Sequence, residues 1–247
     1  MLQSLFRNIP PVTKNLLIIN FLLYLATMVL NSRGIDLTQL LGLHYFLSDG
    51  FYPHQLVTYM FMHSTVDFTH ILFNMFAVFM FGKTLEQFWG SKRFLIYYMV
   101  TGIGAGLIQM LVAQIRIMPF YEIFSPEEFE YIVTEGFEII SQGKNYVDSN
   151  MGQLNGLYNG LTVGASGSVF GILLAFGWLF PNTELMLLFP PIPLKAKWFV
   201  MIYGGIELYL GFANNPNDNI AHFAHLGGML FGFILLYLWK KDRSNFY

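Results

Sequence analysis

Apolar residues gather along the chain in six runs, at about 15–30, 57–82, 94–115, 161–180, 198–213 and 220–239. Crossing a bilayer takes about 20 mainly apolar residues in a helix. The second run has length to spare and the fifth is short. The pattern predicts an all-α polytopic membrane protein, a bundle of six transmembrane helices forming one membrane domain over 1–247. A seventh apolar run, "LMLLFPPIPL", is too short to span and holds Pro190, Pro191 and Pro193. Proline breaks the helix that a span would need, so an interfacial connection is expected there. Near the start, basic residues precede an apolar run with no A-x-A-like cleavage site after it. A retained first helix is expected rather than a signal peptide.

Between the third and fourth runs lies an insert at about 117–160. Within it "SPEEFEYIVTEGFEIISQGK" carries a helix signature. Ser125 is placed to cap the helix, Pro126 to take the first position, Glu128 to complete a capping box and Gly143 to end it. Phe129, Ile132, Val133, Phe137 and Ile140 fall on one face, which suits rest on membrane or protein. The acidity of the segment argues against attraction to anionic lipid.

Composition sharpens the class. The chain is 55% hydrophobic and 11% charged, with mean hydropathy +0.50. Soluble domains carry about 25% charged residues, so this chain could hardly cover its surface in water. No basic cluster with interleaved aromatics is present, which sets nucleic-acid binding aside. With no cysteine, disulfides, thiolate metal sites and a cysteine nucleophile are excluded.

Lys and Arg set orientation, because they collect on the cytoplasmic side. Six spans put both termini on one side. That side carries ten, Arg7, Lys14, Lys83, Lys92, Arg93, Lys195, Lys197, Lys240, Lys241 and Arg243, against Arg33, Arg116 and Lys144 on the other. Cytoplasmic termini are expected.

Unusual polar residues then recur in the second, fourth and sixth runs, which all enter from the extracytoplasmic side. "HILFN" holds His70 and Asn74, "GASGSVFG" holds Ser166, and "AHFAHLGG" holds His222 and His225. Counted from helix starts near Leu161 and Asn219, Ser166 and His225 lie roughly 7–9 Å deep at 1.5 Å per residue. His70 and Asn74 share a face by their i, i+4 spacing. Gly167 and Gly171 make a small-xxx-small pair, and His225, Gly228 and Gly232 share a face. Small residues let membrane helices approach backbone to backbone. That approach can bring His225 to Ser166. Serine needs an adjacent base to act as a nucleophile, and histidine can take its proton and return it to a leaving amine. Asn74, His70 and the backbone N–H of Ser166 can offer hydrogen bonds to an oxyanion. The three runs hold no acid near this pair, so a Ser–His dyad is expected, with Phe170 stacked on the imidazole in an orienting role. The loop "FANNPNDN" is a candidate mobile cap.

These residues resemble the signature of the rhomboid intramembrane serine proteases, over about 10–240. "GASG" is similar to the family's G-x-S-G, "AHLGGMLFG" to its A-H-x-x-G-x-x-x-G, and "HILFN" to its H-x-x-x-N. The resemblance implies a bacterial six-helix type of fold in a bacterial plasma membrane. It implies Ser166 as nucleophile, His225 as base, and His70 and Asn74 in the oxyanion hole, with Gly164, Gly167, Gly228 and Gly232 in support. Transmembrane proteins would be cut near the extracytoplasmic face, with small residues at the bond. Departures are Phe170 in the place of a stacking tyrosine, and His54 and Gln55 near a usual Trp-Arg pair. His63 and His70 also stand two residues further apart than usual.

Other readings stay open beside this one. His222, His225 and His70 suffice as metal ligands by number, but without H-E-x-x-H or a nearby carboxylate no metal or other cofactor is expected. His222 reads as a packing or hydrogen-bonding residue, His63 as ordering its loop, and His44 and His54 as solvated. Ser168 faces away from Ser166. Glu207, mid-run in "GGIELYLG", reads as a hydrogen-bonded structural glutamate, although a transporter could use it for proton coupling. A silent rhomboid-like binder of transmembrane clients is the remaining alternative.

Overall fold

The computed structural model describes residues 9–186, 191–213 and 221–241. Eight principal helices organise it: α1 Pro11–Asn31, α2 Phe68–Trp89, α3 Ser91–Ile117, α4 Pro126–Ser141, α5 Ser149–Asn159, α6 Ser166–Leu179, α7 Ala196–Ala213 and α8 His222–Lys241. Helix α6 sits centrally, packed on α3, α7 and α8. Its residues Val169, Ile172 and Leu173 join Phe94, Tyr97, Tyr98 and Leu236 in the main apolar core. Apolar side chains also cover the outside, among them Phe21, Leu22 and Val29 on α1, and Met201, Tyr209 and Phe212 on α7. An apolar exterior around an apolar core is what a lipid solvent requires.

Among the described residues four helices are long and apolar enough to cross a membrane. They are α1, α2, α8 and the stretch Ser91–Ile123 that begins with α3. Helix α6, with 14 residues, is apolar but shorter. The chain is therefore a mainly helical membrane bundle, and length and composition single out four spans rather than six.

Two helix starts differ from the sequence expectation. The second span begins at Phe68, not near residue 57. Residues Gln55–Phe61 form short helical turns, and Asp67 then opens α2 by accepting the Thr69 amide at 2.9 Å. The carboxylate of Asp67 is held below its usual range by the Thr69 hydroxyl and amide. The fourth apolar run becomes helical at Ser166, not near Leu161. Residues before it run extended, with Leu43 and Thr162 exchanging backbone hydrogen bonds of 2.9 and 3.0 Å. Gly164 then turns the chain with φ +125°, a conformation that side chains strain to adopt.

The insert holds the single turn Phe120–Ile123 and two longer helices where the sequence suggested one helix. Helix α4 has its capping box, Ser125 N to Glu128 Oε2 at 2.9 Å and Glu128 N to Ser125 Oγ at 3.3 Å. Gly143, with φ +70°, donates to the Ile140 carbonyl just past the helix. Helix α5 is capped by Asp148, which accepts from the Asn150 and Met151 amides. The apolar face of α4 rests on protein: Ile132 is buried with Ile117, Phe120, Leu154 and Tyr45.

Beyond α6, strands β1 Glu184–Met186 and β2 Pro193–Lys195 pair antiparallel. The proline-rich connection is thus a ribbon at its described ends, and residues 187–190 lie outside the description. So does most of the expected mobile cap, residues 214–220.

Glu86 on α2 fastens the start of α1. It accepts from the Val12 and Thr13 amides at 2.9 and 2.7 Å and from the Thr13 hydroxyl at 2.7 Å. Pro10, which precedes α1, offers no capping side chain. A carboxylate from the neighbouring helix satisfies those amides instead.

Candidate functional site

The expected glycine seam forms between α6 and α8. A Cβ on Gly228 would run into the Gly167 carbonyl, and one on Gly232 would meet the Tyr97 hydroxyl and, at 3.4 Å, the Gly171 Cα. Only hydrogen at these positions lets the two backbones touch. Across the seam, His225 Nε2 lies 2.9 Å from Ser166 Oγ. Phe170, one turn beyond Ser166, stacks on the His225 ring with centroids 4.2 Å apart and planes 8° from parallel.

Ser166 is the first residue of α6, a correction to the depth of about five residues expected within the helix. Its position has a chemical use. The first amides of a helix lack carbonyl partners within it and point outward. Helix ends of this kind attract anions.

His70 and Asn74 border the same open cavity, of about 2570 Å³, as Ser166, Phe170 and His225. Gly164 lies between His70 and the serine. A Cβ there would sit 2.7 Å from His70 Nε2 and 3.7 Å from Ser166 Oγ. Asn74 Nδ2 donates to the His70 carbonyl at 2.8 Å, which uses one of its two hydrogens. The site residues expected from the sequence are therefore brought together, on α2, α6 and α8.

Glu207 is the residue that sequence reasoning left out of the site. Its Oε2 is 2.9 Å from His225 Nδ1 and 2.6 Å from His222 Nδ1. It is buried and hydrogen-bonded as expected, but its partners include His225 itself. The expectation of no nearby carboxylate fails because the acid comes from α7, not from the three helices that carry the other groups. Glu207, His222 and His225 offer donor atoms within 4.8 Å of one another, a ligand set by type for a divalent cation. In the structure both Nδ1 atoms instead share the carboxylate oxygen, and His70 is not in the set.

The remaining histidines divide. His54 is exposed, as expected. His44 is buried, contrary to expectation, with Nε2 2.9 Å from the Gln39 carbonyl and Phe137 of the insert over its ring. His63 is buried with its ring 5.1 Å from that of His70, and among the described residues neither ring nitrogen has a hydrogen-bond partner. Burial, and then the His70 ring, push its imidazole down to about 3. Ser168 faces away, bonded to the Tyr98 carbonyl at 2.8 Å.

Comparison with known proteins places this architecture. The chain is 26% identical to Rhomboid-like protein 11, chloroplastic, of Arabidopsis thaliana, over 93% of its own length and 65% of the relative's. It is 24% identical to Rhomboid protein 1, mitochondrial, of Saccharomyces cerevisiae, over 72% of its length and 39% of the relative's. A Bacillus subtilis protein provisionally named rhomboid protease YdcA is 27% identical over 76% of the chain and 69% of that protein. The chain thus spans less than two thirds of the length of the first two relatives. These low-identity relatives support a rhomboid-like membrane protein, while the expectation of a bacterial type and a bacterial plasma membrane gains no support. A family model described as eukaryotic integral membrane protein (DUF1751) matches residues 14–245, nearly the whole chain, and the chain belongs to that family.

Proposed function

We propose that this chain is an intramembrane serine endopeptidase that cuts transmembrane proteins. The observation that carries the reading is the 2.9 Å contact between Ser166 Oγ and His225 Nε2, made across the glycine seam beside an open cavity. A serine bonded to an imidazole is the arrangement that acyl transfer needs. Ser166 Oγ attacks the scissile carbonyl and passes its proton to His225 Nε2. The tetrahedral oxyanion is held by amides at the start of α6, with Asn74 and His70 as further donors. His225 returns the proton to the leaving amine. Water, deprotonated by His225, then hydrolyses the acyl-enzyme.

The six-helix arrangement belongs to this proposal, with α6 and α7 as the additional spans. The bias of Lys and Arg favours cytoplasmic termini, with the site opening on the opposite face. A peptide bond inside a helix is shielded by its own turn, so substrates whose helices open easily are preferred. The lipid bilayer is the solvent, and no cofactor takes part.

The test is cleavage of a reporter transmembrane substrate by the purified chain in detergent, with Ser166→Ala and His225→Ala alongside. Cleavage by wild type alone, with fluorophosphonate labelling lost in Ser166→Ala, supports the reading. Equal cleavage by all three overturns it. So does the absence of both cleavage and Ser166-dependent labelling, which leaves a binder of transmembrane clients.

A further inference from the structure

The Ser166–His225 contact raises a question of protons. Neutral imidazole carries one N–H, on either nitrogen. To accept from Ser166, His225 must hold its proton on Nδ1 and leave Nε2 bare. Nothing within a Ser–His dyad enforces that choice, and Phe170 fixes only the plane of the ring. Glu207 stands at the other nitrogen. An ionised carboxylate only accepts hydrogen bonds, so its Oε2, 2.9 Å from Nδ1, favours a proton there.

The same oxygen receives His222 Nδ1 at 2.6 Å. Two imidazoles from one face of α8 thus converge on one oxygen from α7. A buried carboxylate is costly unless its hydrogen bonds are satisfied, and two N–H donors supply that satisfaction. Helix α7 is also tied near this end, where Arg116 of α3 donates to the Gly211 carbonyl at 2.6 Å, one turn beyond Glu207.

We propose that Glu207 is a positioning residue that fixes His225 in the Nδ1–H tautomer, with His222 bracing the carboxylate, so that Ser166, His225 and Glu207 act as a triad drawn from three helices. The inference rests on the reading of His225 as the base. During the reaction the serine proton moves to Nε2 and on to the leaving amine. The Nδ1 proton stays where it is, and Glu207 takes up none. Where an equivalent acid is replaced by its amide in a soluble serine protease, the histidine adopts the wrong tautomer and kcat drops by about 10⁴.

Two variants and two readouts test this. Glu207→Leu removes the acceptor, and Glu207→Gln keeps the size without the charge. On the reporter substrate, kcat should fall about 10²–10⁴-fold in Glu207→Leu, with KM within threefold. Glu207→Gln should also be at least tenfold down, because its amide N–H can face Nδ1 and favour the wrong tautomer. Independently of activity, ¹⁵N-histidine spectra in detergent should show His225 protonated on Nδ1 in wild type, with an Nε2–H population appearing in both variants. A His225→Gln spectrum assigns the signals. Unchanged His225 signals in the variants overturn the proposal, whether or not kcat falls, as does kcat within threefold of wild type. If Glu207→Leu does not fold, Glu207→Gln decides. If wild type shows neither cleavage nor Ser166-dependent labelling, the proteolytic reading fails by itself, and the spectra still decide whether Glu207 sets the tautomer.

Discussion

The phenyl ring of Phe170 and the imidazole of His225 lie face to face, 4.2 Å between centroids and 8° from parallel. Phe170 stands one turn from Ser166 on α6, so the helix that carries the serine also carries the plate against which its partner rests. Aromatic pairs of this kind contribute about 0.5–1.5 kcal/mol beyond burial. Phe170→Ala is expected to lower kcat by about threefold to tenfold, and Phe170→Tyr to retain at least half of it. Steady-state cleavage of a reporter substrate measures both. A Phe170→Ala enzyme as fast as wild type would mean that Glu207 alone orients the ring.

Asn74 Nδ2 spends one hydrogen on the His70 carbonyl at 2.8 Å, and the proposed mechanism gives the other to the oxyanion. Loss of one oxyanion donor typically costs about 10²–10³ in kcat. Asn74→Ala should show that loss with KM within threefold of wild type. Unchanged turnover would assign the oxyanion to the α6 amides and His70 only.

Gly228 meets the Gly167 backbone with no room for a side chain. Gly228→Val must push α8 off α6. Overpacking of this sort costs about 1–3 kcal/mol. A lower unfolding temperature in detergent is expected, with slower fluorophosphonate labelling of Ser166 as the imidazole moves away. Labelling at the wild-type rate in a destabilised variant would show that the seam serves stability alone.

His63 gives the fold an acid limit. Its imidazole, pushed down to about 3 by burial and then by His70, stays neutral in the folded chain and titrates near 6.5 when unfolded. Between these values the unfolded chain binds the extra proton, so stability is fully present above about pH 6.5 and is lost as pH falls toward 3. Thermal unfolding at pH 7, 5.5 and 4 should show a steeper loss in wild type than in His63→Phe. Parallel curves would remove His63 as the cause.

Much of this was legible along the chain, because helices with caps and small-residue seams leave local marks. The ends of α4, the glycines of α6 and α8 and the spacing of His70 and Asn74 all read directly. The starts of α2 and α6 did not, since hydropathy runs on through backbone that is not helical. Asp67 and Gly164 were the signals, one a capping side chain and the other a turn residue. Helix α5, "SNMGQLNGLYN", is too polar for an apolar stripe to announce it, and only the Asp148 cap betrays it. His44 is covered in part by Phe137, 93 positions away. Glu207 was visible as a mid-run acid, but its meeting with His225 depends on how α7 lies against α8, which no periodicity within either helix encodes.

The shortness of α6 has a consequence for the supply of water. Its 14 residues reach about 21 Å, against a hydrocarbon thickness of about 30 Å. Such a hydrophobic mismatch is relieved by thinning the bilayer or by letting polar groups and solvent down to the helix end. Ser166 is that end. The chain that leads to it is extended backbone beside an open cavity, not another turn of helix. With α6 as a span and Ser166 as the nucleophile, as proposed, the site can be wetted from above without a pore being built to reach it.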